Sequence, residues 1–251
     1  MTSCTMQTAS QSKTVQSTSG THTVAKRKGV KRGKKAAALC TLQVLSILEH
    51  GEPLDRLNDW TPARLYFDGG ARGNPGPGGS GWSLFLFHDS TKTWQLKACG
   101  CMYMGPMVTS NWCEYNALKD GLAQCGRILQ KYDICLEVYG DSQMIVAVHN
   151  GVATIKQPAL RQINQRVQQL CGQFAWVTWR HTKREHSKMT DSLANAAMNA
   201  KSSKVLTEHT RGLDTPFWAT VEAHLADDIR ARPSAKRQTP LSSVLSRMRR
   251  S

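Results

Sequence analysis

Residues 64–88 read RLYFDGGARGNPGPGGSGWSLFLFH, and the two apolar runs at the ends of this stretch decide the fold. The first run, residues 64–68, is typical of a strand that enters a loop rich in Gly and Pro. The second, residues 82–88, is apolar at successive positions and predicts a central strand covered on both faces. Residues 94–103 predict a third strand, and the short connections favour antiparallel pairing of all three.

Helices and strands alternate in the rest of this central block. Apolar spacing predicts four helices, at residues 111–130, 142–149, 159–171 and 190–201, and two further strands, at 134–140 and 175–181. The order β-β-β-α-β-α-α-β-α predicts an α/β fold with a mixed five-stranded sheet flanked by helices. Its first three strands are antiparallel and the later ones parallel, because helical crossovers join the latter. The active site of such a sheet lies at the C-terminal ends of the parallel strands.

Four acidic residues stand at the ends of these predicted elements. Asp68 ends the first strand, Asp141 ends the fourth, Glu114 lies in the first turn of the first helix and Asp191 begins the last helix. If strands one and four are neighbours, Asp68 and Asp141 emerge side by side. Clustered carboxylates repel one another, and hard oxygen donors suit Mg²⁺ or Mn²⁺. Two such ions support hydrolysis of a phosphodiester without a protein nucleophile.

Each acid also has a purely structural interpretation. Asn111 and Glu114 have the spacing of a capping box, and Asp141 could cap the helix that follows it. Asp191 could favour the positive end of a helix dipole, and Asp68 could form a turn before two glycines. Any one of these interpretations is common, but four acids in this order favour a shared site.

The glycine-rich residues 76–81 satisfy the pattern G-x-G-x-x-G. A dinucleotide-binding site requires a helix directly after this pattern, whereas a strand is predicted here. We therefore exclude that site and expect a tight loop whose backbone amides approach a sugar-phosphate chain closely.

The charge balance indicates a polyanionic partner. Lys plus Arg total 33 against 18 acids, a net charge of +15, which favours nucleic acid or an anionic surface. No apolar run reaches the roughly 20 residues of a membrane span, so no membrane contact is expected. The eight Cys residues are scattered without a metal-binding spacing, which is typical of reduced intracellular thiols.

Three regions are predicted. Residues 1–61 form a disordered basic tail with a short amphipathic helix at 36–49, residues 62–200 a globular domain, and residues 201–251 a basic extension with its own amphipathic helix. The Lys/Arg cluster at 26–35 predicts a nuclear address or a non-specific nucleic-acid arm, so the nucleus is the favoured compartment. The alternative is an organelle transit peptide, such as a mitochondrial one, which the acid-free, Ser/Thr-rich start also fits. The C-terminal helix either packs on the domain or docks a partner.

Four segments resemble the four motifs of the type 1 ribonuclease H family, in the same order and over residues 62–200. They are YFDGGARGNPGPGG at 66–79, TSNWCEYNAL at 109–118, GDSQ at 140–143 and RHTKREHSKMTDSLAN at 180–195. The resemblance implies a ribonuclease H-like fold and an endonuclease that cuts the RNA strand of RNA–DNA hybrids with Mg²⁺, or Mn²⁺ as a substitute. It also implies a monomer and 3′-hydroxyl and 5′-phosphate products.

The resemblance assigns roles to individual residues. Asp68, Glu114, Asp141 and Asp191 match the metal-binding carboxylates, and His181 matches a mobile histidine that assists water activation or product release. The positions that match contacts to the hybrid are Ala71, Asn74, Asn111 and Gln143, joined on the same surface by Ser110 and, as a phosphate contact, Arg72. Contacts to 2′-hydroxyls distinguish RNA from DNA.

The chain departs from the family at one place that concerns substrate binding. Many members carry a basic, Trp-containing protrusion, whereas residues 149–159 are short and hold Lys156 and no Trp. The basic arm could replace it through salt-sensitive phosphate contacts. Two other functions stay open: another nuclease of this fold, such as a junction resolvase or integrase-like enzyme, and a nucleic-acid-binding protein built on an inactive nuclease domain.

Overall fold

Six strands form one mixed sheet in the computed structural model, which describes residues 61–130, 134–210, 217–219 and 221–225. The strand order is β5-β4-β1-β2-β3-β6. The β1–β2, β2–β3 and β3–β6 pairs are antiparallel, and β4 pairs in parallel with both β1 and β5. The strand bounds are β1 Thr61–Ala71, β2 Gly76–His88, β3 Thr93–Val108, β4 Ile134–Gly140, β5 Trp176–His181 and β6 Lys204–Thr207.

Four helices cover the two faces of this sheet: α1 Ser110–Ile128, α2 Gln143–His149, α3 Pro158–Cys171 and α4 Lys188–Ala200. Successive residues of a strand point to opposite faces. Leu65 of β1 accordingly belongs to the core beneath α1 and α3, whereas Tyr66 belongs to the core beneath α4. The apolar run of β2 divides in the same way, with Leu84 on the first face and Phe85 on the second. The prediction that residues 82–88 form a central strand covered on both faces is confirmed.

The predicted element order is confirmed, but the sheet has six strands rather than five. The sixth strand, β6, pairs with β3 from a segment that we predicted to be an extension. Leu206 of β6 is buried with Trp218 and Val221, which belong to the helical residues 217–219 and 221–225. The limits of the predicted regions stay predictions, and the tail at residues 1–60, with its helix at 36–49 and basic cluster at 26–35, lies outside the described residues.

The expectation of a glycine loop at residues 76–81 is wrong. These residues belong to β2 and pair with β1, down to Gly78 opposite Ala71. At Gly79 and Gly81, a side chain would overlap the backbone of α4, at Ala194 and Thr190. The glycines therefore let a helix approach the sheet closely, a use of glycine that local sequence does not distinguish from a turn.

None of the described helices is long and apolar enough to cross a membrane.

Candidate active site

Parallel pairing of β1 with β4 brings Asp68 and Asp141 to the same edge of the sheet. Phe67 lies opposite Gly140 in this pairing, so the next residue of each strand is one of the two acids. Asp68 does not end its strand as predicted, because β1 continues to Ala71 against the glycines of β2. The interpretation of Asp68 as a turn former is therefore wrong.

Helices α1 and α4 supply the other two acids. The cap of α1 is Thr109, whose hydroxyl accepts a hydrogen bond from the Trp112 amide at 3.3 Å. Glu114 thus lies in the second turn, and the capping-box interpretation of Asn111 and Glu114 is wrong. Asp191 lies in the first turn of α4, as predicted.

Asp141 is not a helix cap either. The capping position of α2 is Ser142, and the Asp141 carboxylate accepts a hydrogen bond from Arg184 Nε at 3.2 Å. Its side chain is 13 % exposed. Asp141 is therefore aimed at a charged partner beside the end of β4 rather than at the helix that follows it.

The four acids form one electrostatically coupled cluster. Burial, together with the charges of Asp141, Asp191 and Glu114, raises the pKa of Asp68 to about 7. Burial also raises the pKa of Glu114 to about 7, against a hydrogen bond from Ser142. Desolvation and like charge both disfavour the ionised form of a carboxyl group. Keeping all four acids ionised near neutral pH is therefore unfavourable unless a nearby positive charge offsets their repulsion.

The donor set fits a divalent metal ion chemically. Asp68 Oδ2 and Glu114 Oε2 are buried without a hydrogen-bond partner in the described part of the chain, and carboxylate oxygens are the ligands that Mg²⁺ and Mn²⁺ prefer. As they stand, however, no three His, Cys, Asp or Glu side chains among the described residues are placed to hold one ion. Mutual repulsion separates like charges, and Arg184 engages Asp141.

His181 lies at the end of β5, next to this cluster. Its Nε2 donates a hydrogen bond to the Asp141 carbonyl oxygen at 3.1 Å, and the side chain is exposed. The hydrogen bond places a titratable group beside the cluster at the point where β4 and β5 end.

The predicted substrate contacts are brought together only in part. Asn74 Oδ1 accepts a hydrogen bond from the Ser110 amide at 3.2 Å, which joins the loop after β1 to the start of α1 and to Asn111. Ala71 and Arg72 line an open pocket of about 170 Å³ that Asp68 and Asp191 also line. Gln143 is exposed in the first turn of α2. Their roles stay predictions.

Two residues of this site were not singled out in the sequence. Asn195, one turn after Asp191, donates to the Asp191 carboxylate at 3.2 Å. Arg184 reaches Asp141 from the short 3₁₀ turn Arg184–His186, between β5 and α4. The i+4 spacing of Asp191 and Asn195 could have predicted their contact from the sequence. The contact between Arg184 and Asp141 joins residues 43 positions apart, and no local sequence pattern predicts it.

Comparison with known proteins finds relatives of this chain. Residues 66–197 match the family described as reverse transcriptase-like. Ribonuclease HI of Halobacterium salinarum is 30% identical over 158 residues, which are 61% of this chain and 75% of that protein. The bifunctional protein Rv2228c of Mycobacterium tuberculosis is 32% identical over 134 residues, which are 53% of this chain. The chain spans about a third of the length of that mycobacterial relative, 34%.

A solved structure has the same fold. The N-terminal RNase H domain of Rv2228c, crystallised as a fusion with maltose-binding protein, is 29% identical, with a TM-score of 0.50. The match covers 56% of this chain and 95% of that one. These relationships place the sequence in one family. The chain belongs to the type 1 ribonuclease H family.

Proposed function

We propose that this protein is an endonuclease that hydrolyses the RNA strand of RNA–DNA hybrids and leaves 3′-hydroxyl and 5′-phosphate ends. The observation that carries the proposal is the convergence of four acids from separate parts of the chain: the charges of Asp141, Asp191 and Glu114 act on Asp68, and Asp68 and Asp191 line one open pocket. Membership of the type 1 ribonuclease H family supports the choice of substrate, and the relative named Ribonuclease HI supports the activity.

The cofactor that we infer is a pair of Mg²⁺ ions, with Mn²⁺ as a substitute. When bound, such ions supply the positive charge that activates a water molecule and stabilises the leaving oxygen. Asp68 and Asp141 are the central ligands, because neighbouring parallel strands fix their backbones. Glu114 and Asp191 complete the donor set from α1 and α4. The partnerless oxygens Asp68 Oδ2 and Glu114 Oε2 support this assignment.

His181 is proposed to move a proton during water activation or product release. A ring nitrogen of an imidazole can accept or release a proton, and the exposed ring of His181 lies at the edge of the carboxylate cluster. Because its one described hydrogen bond is to a backbone carbonyl, the ring can leave this position at small cost.

The surface around Asn74, Ser110 and Asn111 is proposed to read the RNA strand, together with Ala71 and Gln143. Amide and hydroxyl groups can pair with 2′-hydroxyls, which DNA lacks. Arg72 is proposed to contact a phosphate at the pocket. We propose that the protein acts as a monomer and that its basic tails add non-specific contacts, which salt weakens.

The test is cleavage by the full-length protein of four labelled substrates: hybrid, duplex RNA, duplex DNA and a four-way junction, each with Mg²⁺ or Mn²⁺. The proposal expects cutting of the RNA strand of the hybrid alone, and loss of cutting in Asp141→Asn. Junction cutting would instead support a resolvase. Hybrid binding without cleavage in either metal would indicate an inactive nuclease fold, and full activity of Asp141→Asn would remove the mechanism.

A further inference from the structure

Arg184 is the charged partner of the carboxylate cluster. It lies in the turn before α4, and its Nε is 3.2 Å from Asp141 Oδ2. The Arg184 side chain is 77 % exposed. A guanidinium in that position is held by one ion pair and little packing, so it can leave the cluster at small energetic cost.

The influence of Arg184 extends over all four acids. The hydrogen bond and charge of Asp141 raise the pKa of Arg184, and the charges of Asp68 and Asp191 add to this effect. In turn, the charge of Arg184 lowers the pKa of Glu114. One guanidinium thus offsets part of the repulsion within the entire cluster.

Neighbouring cations are engaged elsewhere. Arg72, which also lines the pocket, donates to the side chain of Asn199 at 2.6 Å. Lys183, the residue before Arg184, pairs with Glu185 at 3.6 Å. The orientation of Arg184 toward Asp141 is therefore not a property shared by the whole basic turn.

We propose that Arg184 is an internal counter-ion that holds Asp141 in the metal-free protein and that a divalent cation must displace. The proposal rests on the proposed function, because it assumes that Asp141 is a metal ligand. A cation at Asp141 would compete with Arg184 for the charge of the same carboxylate, and two cations near one carboxylate repel each other.

Removing the charge of Arg184 has two effects on metal binding, and both raise the affinity. It removes a competitor for Asp141, and it removes a repulsion of the incoming ion. The metal-free protein, by contrast, loses stability because the repulsion among the acids is no longer offset. If Arg184 instead held Asp141 ready for the metal, its removal would weaken metal binding.

Calorimetric titration of the full chain with Mn²⁺, without nucleic acid, tests the proposal. Arg184→Gln is expected to bind Mn²⁺ roughly two- to ten-fold more tightly than wild type, a range set by the modest strength of exposed ion pairs. Arg184→Lys keeps the charge, so its affinity for Mn²⁺ should be closer to that of the wild type. Lys183→Gln is the matched control, because it removes one positive charge from the adjacent position, and it should change the affinity less than Arg184→Gln.

Unchanged or weaker Mn²⁺ binding by Arg184→Gln would overturn the counter-ion role while leaving metal binding intact. A wild-type protein that binds no Mn²⁺ would instead remove the proposed metal site, and the counter-ion with it. The wild-type protein offers a second measurement that needs no variant. Its Arg184 Nε–H resonance should shift and exchange faster with water as Mg²⁺ is added, and a resonance that stays constant to Mg²⁺ saturation contradicts displacement.

Discussion

The carbonyl oxygen of Thr190 in α4 occupies the space that a side chain at Gly81 of β2 would need. Leu193 and Ala194 close the same space from the next turn of the helix. This contact sets the distance between α4 and the sheet. Because Asp191 directly follows Thr190, the contact also sets where the fourth carboxylate stands relative to Asp68.

Replacing Gly81 by Ala is expected to push α4 away from the sheet. Overpacking of this kind costs about 1–3 kcal/mol of unfolding free energy, which urea denaturation measures. Hybrid cleavage should fall at least about tenfold, because small displacements of catalytic groups are costly. Gly70→Ala is the stability control, since a Cβ there meets nothing within 4 Å. Equal stability of the two variants would contradict the role given to Gly81.

Asp68→Asn is expected to stabilise the metal-free protein while it abolishes cleavage. The folded-state pKa of about 7 lies above the ordinary value of 3.8. The folded protein therefore holds a proton that the unfolded chain releases, and stability falls as pH rises from about 4 to 7. Asp68→Asn does not lose stability in this way. Its unfolding free energy at pH 8 should therefore exceed that of the wild type by ~2–4 kcal/mol, at 1.36 kcal/mol per pKa unit.

At pH 4 the same Asp68→Asn variant should be little more stable than the wild type, because Asp68 is then largely protonated in both the folded and the unfolded protein. Chemical denaturation in EDTA at the two pH values measures the difference. Asp89→Asn is the matched control, because it removes an exposed acid that forms a surface ion pair with Lys92. A gain that is equal at both pH values would rule out the burial of charge at Asp68 as its cause.

The element order could be predicted because the spacing of apolar residues differs between strands and helices. The glycines at 76–81 could not be assigned correctly, since a turn and a closely packed strand use the same residue type. β6 was also missed, because Lys204–Thr207 is four residues long and exposes Val205. Its pairing with β3 is a tertiary contact that carries no local pattern.

That the four acids lie near one another could be predicted from their places in the predicted elements and from the family motifs, although Asp68 and Glu114 do not stand at element ends. Their surroundings could not be predicted. Whether Glu114 caps its helix depends on Thr109, which takes the cap position, and the Arg184–Asp141 pair joins two elements 43 residues apart. Pairing of β1 with β4 was a condition of the prediction, and the structure fulfils it.

Trp218→Ala is expected to destabilise the fold although Trp218 lies beyond the matched family segment. The indole is 5 % exposed, and its Nε1 donates to the Thr210 carbonyl at 3.3 Å. Removing a buried Trp costs ~3–5 kcal/mol, measurable by thermal or urea unfolding. Val205→Ala of β6 is the control, because Val205 is 43 % exposed and its loss should stay within about 0.5 kcal/mol. Similar stability of both variants would show that Trp218 adds little to the core.

His149 gives the protein a second, separate dependence on pH. Its ring stacks on Trp179 with centroids 3.9 Å apart, and burial lowers the pKa of His149 to about 4. The unfolded chain takes up a proton near pH 6.5, before the folded protein does, so stability is lost as pH falls from about 6.5 to 4.

His149→Phe keeps a planar ring against Trp179 and removes the titration. Between pH 7 and pH 4 the wild type should lose ~2–3 kcal/mol more unfolding free energy than this variant, at 1.36 kcal/mol per pKa unit. His88→Gln, a change at an exposed histidine, should follow the wild type. Urea denaturation at half-unit pH steps measures the three curves. Parallel curves for wild type and His149→Phe would mean that His149 takes up its proton equally well in the folded and unfolded protein, against the effect of burial beside Trp179.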